Sequence, residues 1–315
     1  MDLDPAALAA AEELGFSLVR DFDLPSVGAH VFLLRSNRAL ATPDAIRLLA
    51  SVAPSAPMAP NHVFYAPTSD GRATTSARPP AAQRPCGCSI AMLDTAVDAR
   101  HPAFGGVHVR QRAFAAPAVA PEAHGTEVAS LMFGPESGAT HLYVADVFTG
   151  ERSRAGAATV VIEALEWIAS TGAPVVNVSL AGPQNPVVDA VISRMTQHGV
   201  VVVAAVGNDG PAAPPAFPAA MPGVVAVTAV DAQRQIYRYA IRGDHVALSA
   251  PGVGVVAAGT GAGYVEVTGT SFAAPRVAAD VARRMSRPDR AAAAATIRHL
   301  EETAIDLGPR GRDRI

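Results

Sequence analysis

What is scarce in this chain narrows it before any motif is read. No stretch reaches the roughly 18 consecutive apolar residues that a membrane-spanning helix needs, so no span is expected. Charge is thin: 17% of the 315 residues are Asp, Glu, Lys or Arg, and the formal net charge is −3. So even a balance gives no basic stripe for nucleic acid and no cationic face for an anionic membrane. The N-terminus, Met1-Asp2-Leu3-Asp4, lacks the basic and apolar regions of a secretory leader. Either the protein is cytosolic, or a leader has been removed or was never included. His30, His62, His101, His108, His141, His198, His245 and His299 show no metal-ligand spacing, and no metal or cofactor is expected. Only two cysteines occur, Cys86 and Cys88. In an extended strand, residues two apart point the same way but lie too far apart for a disulfide. They are expected to be small buried or free thiols, with a metal or regulatory role as the alternative.

Half of the residues are hydrophobic, enough for a sizeable core. Residues 1–66 read as a small α+β unit in the order α-β-β-α-β. "DPAALAAAEELG" is a helix that Asp4 can cap and Gly15 can end, and "FSLVRDFDLPSVGAHVFLLR" is two strands around a turn. "TPDAIRLLASV" is a helix with Thr42 as its cap, and "NHVFYAP" is a last short strand. Residues 67–85 are polar, proline-rich and aperiodic, as in a protease-accessible linker. From 86 to 315, Val-rich runs such as "SIAMLD", "THLYVADVF", "APVVNVSL", "GVVVVAAVG" and "GVVAVTAV" alternate with helical stretches. That alternation predicts an α/β domain whose mostly parallel sheet is covered on both faces.

In such sheets, functional groups gather at the C-terminal ends of strands. "SIAMLDTAVDARHP" places Asp94 there, and "AHGTEVASLMFG" places His124 at the start of a helix. "VVVVAAVGNDGP" puts Asn208 just past a strand, and "GTSFAAP" puts Ser271 at the start of a helix with Pro275 in its first turn. Taken singly, each has an ordinary reading: a strand-end turn, a polar helix start, a tight Asn-Asp-Gly turn, a helix cap.

Taken together and in this order, the four stretches resemble the subtilisin-like serine proteases. That family carries Asp-Ser/Thr-Gly at a strand end, then His-Gly-Thr-x-Val-Ala, then Gly-Thr-Ser-x-Ala-x-Pro. The likeness runs through most of residues 88–312, including "VVNVSLAGP" and "ETAIDLGPRGRD". It implies a three-layer, doubly wound α/β fold and hydrolysis of polypeptides by an endopeptidase. Ser271 would be the nucleophile, His124 the general base and then acid, and Asp94 the group that orients the imidazole. The side-chain amide of Asn208 and the backbone N–H of Ser271 would bind the oxyanion. Two extended segments would hold the substrate backbone, Arg154-Ala155-Gly156 and Ser179-Leu180-Ala181. Ser179 to Gly182 and Ala205-Val206-Gly207 would wall the pocket for the residue before the scissile bond, with Ala216 near its base. No charge lines that pocket, so an apolar or medium-sized side chain is expected there. Ala158 stands where many relatives have an aromatic, which would open a second pocket further along the groove.

The resemblance also implies a zymogen. Residues 1–66 would be a ferredoxin-like inhibitory propeptide lacking its first strand, with "NHVFYAP" lying in the groove and self-cleavage in or near 67–85. A monomer outside the cytoplasm, extracellular or periplasmic, is expected, and the C-terminal closing strand of the relatives is not in this sequence. Departures from the pattern include Ala96 after Asp94-Thr95, a costly choice if that position needs φ > 0. Glu127 stands in place of a second histidine, and Ser130 and Ala181 in place of glycines. The stretch from Leu131 to His141 is too short for the relatives' calcium loop. The departures leave an alternative open, a peptide-binding pseudoprotease. A nucleotide site at "GVGVVAAG" would require a helix directly after it.

Overall fold

The first 66 residues build two helices and three strands. In a computed structural model, which describes residues 5–66, 88–115, 121–133, 139–148, 155–305 and 307, these are α1 (Pro5–Glu13), β1 (Phe16–Leu24), β2 (Ala29–Ser36), α2 (Thr42–Ala50) and β3 (Val63–Tyr65). The order is the expected one. Gly15 takes φ +89 at the end of α1, as the glycine after a helix commonly does. Thr42 does not cap α2: Ala41 occupies that place without a side-chain bond, and Thr42 is already helical. Asp4 lies outside the described residues. β1 and β2 pair with each other as a hairpin, while β3 pairs elsewhere.

The remaining strands are β4 (Cys88–Asp94), β5 (His108–Ala113), β6 (Ala139–Asp146), β7 (Ala155–Ala157), β8 (Val175–Val178), β9 (Val201–Ala205), β10 (Val224–Val230), β11 (Val246–Pro251), β12 (Val255–Ala258) and β13 (Tyr264–Val267). The helices among and after them are α3 (Ala123–Ser130), α4 (Ala158–Ser170), α5 (Pro186–Gln197), α6 (Ala274–Ala282) and α7 (Arg290–Thr303). Seven strands form one parallel sheet in the order β11-β10-β9-β8-β4-β6-β5. Every residue of β8, β9 and β10 is buried, as strands covered on both faces must be. α4 packs on β4 and β6, and α6 packs on β4, β8, β9 and β10.

The strand order reverses at β4. The chain leaves β4 for β5 and β6 on one side, then crosses to β8 on the other. Such a switch point opens a crevice at the C-terminal strand ends, and Asp94 is the last residue of β4.

One expectation needs correction. Cys88 is disulfide-bonded and buried, not a free thiol. Cys86 lies outside the described residues. The "GVGVVAAG" stretch runs into the hairpin β12–β13 rather than a helix, which removes the basis for a nucleotide site. Ala96 is buried and is not among the residues with positive φ, so its methyl group meets no left-handed strain.

Candidate active site

Asp94 and His124 are both buried, and their carboxylate Oδ1 and imidazole Nδ1 are 2.8 Å apart. The same Oδ1 accepts the Thr95 N–H at 2.7 Å, so the carboxylate is held from two sides. His124 is the second residue of α3, and the helix is seated by its neighbours. Gly125 N–H donates to Thr95 Oγ1 at 2.8 Å, and a β-carbon on Gly125 would fall 2.2 Å from the Thr95 carbonyl oxygen. Glycine after the histidine is therefore what lets α3 approach the end of β4. Thr126 Oγ1 donates to the Glu122 carbonyl and accepts the Asp98 N–H, fixing the first turn.

Ser271 lies in a short 3-10 turn, Thr270–Phe272, and α6 begins only at Ala274 with Pro275 in its first turn. The serine therefore precedes the helix rather than opening it. The Phe272 ring sits 5.7 Å from the His124 imidazole, centroid to centroid, so the turn abuts the histidine. Ser271 Oγ is buried and makes no hydrogen bond among the described residues. Asn208 reaches the same turn. Its Oδ1 accepts from Thr270 N–H at 3.0 Å and from Thr270 Oγ1 at 2.9 Å. A backbone N–H can only donate, so the amide orientation is set and Nδ2 is the end left to donate. Gly207 N–H donates to Thr270 Oγ1 at 3.1 Å, tying the Asn208 loop to the serine turn.

The segments expected to hold substrate pair with the N-terminal unit. β3 pairs antiparallel with β7, Val63 opposite Ala157, Phe64 opposite Gly156 and Tyr65 opposite Ala155. On its other side Tyr65 bridges Ala181. Arg154 lies outside the described residues. Phe64 is fully buried, and a β-carbon on Gly182 would lie 2.5 Å from its ring. Ser179 Oγ accepts from Asn177 Nδ2 at 2.8 Å, and Leu180, Ala205 and Val206 are buried core residues. Ala181 and Ala216 converge with Ile241 in one small cluster, and Gly207 lies against Ile241 and Ala216. Ile241 was not foreseen; its segment "IYRYAIRG" carries no periodic signal.

Further contacts hold the N-terminal unit on two helices. Asn61 Oδ1 and the His62 carbonyl accept from Thr159 and Ala158 N–H groups at the start of α4, which has no side-chain cap of its own. Asn185, the cap of α5, donates through Nδ2 to the Pro60 carbonyl at 3.2 Å. Ser26 N–H donates to Glu166 at 2.9 Å, and Arg20 pairs with Glu163 at 2.6 Å.

One acid near the pair was also missed. Burial pushes the Asp146 carboxyl up to about 7, with Glu122 and Asp94 adding to the rise and the Phe148 N–H opposing it.

A profile of the Subtilase family matches residues 86–315. Subtilisin amylosacchariticus of Bacillus subtilis subsp. amylosacchariticus is 30% identical over 236 residues, covering 70% of this chain and 61% of the relative. The chain spans less than two thirds of the length of the first curated relatives it matches. The protease domain of PatA, solved as a serine-to-alanine mutant, superposes with a TM-score of 0.64 at 28% identity, covering 73% of this chain and 90% of that one. Its self-cleaved form gives 0.57 at 28% identity, over 68% and 88%. The prenylagaramide maturation protease PagA gives 0.57 at 29% identity, over 65% and 79%.

Proposed function

This chain belongs to the subtilase family, and on that premise we propose that it is a serine endopeptidase made as a self-restrained zymogen. Ser271 Oγ attacks the scissile carbonyl while His124 Nε2 takes its proton. Asp94 holds the other imidazole nitrogen and stabilises the imidazolium. The oxyanion is met by Asn208 Nδ2 and the Ser271 backbone N–H. His124 then protonates the leaving amine, and a water activated by the same imidazole hydrolyses the acyl-enzyme. The observation that carries this reading is the buried 2.8 Å contact between Asp94 and His124 at the strand-order switch, beside the Ser271 turn. Incubation of the purified protein with an unfolded polypeptide tests it. Hydrolysis that a serine-directed inhibitor abolishes is expected; no hydrolysis by the processed protein would contradict it.

Residues 1–66 act as the intramolecular inhibitor, 67–85 as the linker that is cut, and 86–315 as the catalytic domain. Support comes from β3, which is hydrogen-bonded on both sides to the segments assigned to substrate. A relative's protease domain is known in self-cleaved form, which favours self-processing. The apolar meeting of Ala181, Ala216 and Ile241 favours a small or medium apolar side chain before the scissile bond. The enzyme acts as a monomer outside the cytoplasm: a curated relative is an extracellular protease, and a disulfide at Cys88 suits an oxidising compartment.

A second reading, a peptide-binding module without turnover, draws on Ser271 Oγ making no hydrogen bond among the described residues. Hydroxyl-to-imidazole bonds often form only with substrate bound, and the same incubation separates the two.

A further inference from the structure

Asp146 ends β6, and in the parallel pairing of β4 with β6 it stands directly opposite Asp94. Neighbouring strands lie about 4.8 Å apart, and residues in register point to the same face. The two backbones are also tied, with Val147 N–H donating to the Asp94 carbonyl at 3.1 Å. Asp146 is buried, and among the described residues its carboxyl group takes one hydrogen bond, a long one from the Phe148 N–H at 3.4 Å.

Among the described residues, the charges that act on it are acids, Glu122 and Asp94. Glu122, itself buried, precedes α3, and Asp94 carries His124 on its far side. Arg112 on the adjacent β5 lies over the Phe114 ring, 4.7 Å from its centroid. Among the described residues no cation lies within ion-pair distance of Asp146. Like charges so close in a dry site cannot both ionise freely. The Asp94 carboxylate takes the short contacts, from Thr95 N–H at 2.7 Å and with His124 at 2.8 Å, whereas Asp146 has the long bond from Phe148 N–H and holds its proton to about pH 7.

We propose, resting on the protease reading above, that Asp146 is a positioning residue for the Asp94–His124 pair: a buried carboxyl in register with Asp94 whose charge sets the field at the imidazole. When Asp146 ionises, a second negative charge stands behind Asp94 and stabilises the imidazolium. His124 then gives up its proton at higher pH, and the two groups titrate as a coupled system.

The test is the rate of Ser271 labelling by a fluorophosphonate, measured from pH 5 to 9 on the processed protein and on Asp146→Asn, which is uncharged throughout. The variant is expected to show a steeper, single-site acid limb, displaced downward by about half a pH unit or more. Asp146→Glu, which keeps a titrating carboxyl, should restore the broad limb. Superimposed limbs for wild type and Asp146→Asn would overturn the proposal while leaving the protease reading intact. Wild-type protein that fails to label at any pH would overturn the protease reading itself. A second measurement holds even where a variant folds poorly: the carboxyl carbon-13 titration of Asp146 in Ser271→Ala protein. A midpoint near 7 supports the proposal, and a midpoint near 4 overturns it.

Discussion

Tyr65 and Ala181 exchange both of their backbone hydrogen bonds, the N–H of each donating to the carbonyl of the other at 2.9 Å. With β7 on the opposite edge, this places a strand from the first 66 residues in the middle of a three-strand arrangement, the place proposed above for substrate. Backbone pairing of this kind supplies affinity, and the side chains that alternate along the strand supply selectivity. Of these, Phe64 is the buried one, while Val63 and Tyr65 face outward.

Phe64 should therefore dominate the restraint. Truncating a buried phenylalanine costs about 3–5 kcal/mol. In Phe64→Ala, unprocessed full-length protein is expected to react with a serine-directed probe at least tenfold faster than the unprocessed parent. Equal rates would show that the strand does not limit access.

Asn208 is anchored through its oxygen to Thr270, so its loss removes a fixed donor without disturbing a charged group. Asn208→Ala should lower kcat roughly 10²–10³-fold with KM little changed, the scale known for the same kind of donor in subtilisin. Steady-state kinetics on a chromogenic peptide check it. A change confined to KM would place the amide in binding rather than in charge stabilisation.

Asp146 ties stability to pH. In the folded chain it keeps its proton up to about pH 7, against an ordinary value of 3.8. Between those values the folded state binds more protons than the unfolded one, so stability falls as pH rises through that window. Removing the ionisable group should relieve the penalty. Asp146→Asn in a Ser271→Ala background is expected to gain on the order of 4 kcal/mol relative to its parent between pH 4 and pH 8. Urea unfolding at the two pH values measures it, and a constant difference between parent and variant would contradict the linkage.

The parts of this molecule legible in its sequence are those set by local pattern. β8, β9 and β10 are Val-rich runs and β4 and β6 short, largely apolar ones, and the Asp94, His124, Asn208 and Ser271 stretches each carry a short motif. β5 was missed because "HVRQRA" alternates exposed and half-buried residues at the sheet edge. β11 was missed because its burial is broken and its residues are mixed. Asp146 and Ile241 have no local signature at all. Asp146 faces Asp94 only because β4 and β6 pair in that register, and Ile241 reaches Ala181 and Ala216 only through tertiary packing. Thr42 shows the limit of capping rules: with Ala41 extended and Pro43 next, the helix starts one residue early and the threonine lies inside it.

The central claim is that Asp94, His124 and Ser271 act as one nucleophilic unit. Its most direct test is fluorophosphonate labelling of the processed protein, mapped by peptide mass spectrometry, alongside His124→Ala and Asp94→Asn. A single adduct on Ser271 that falls at least a hundredfold in both variants is the expected result. An adduct on another residue, or equal labelling in all three proteins, would contradict it.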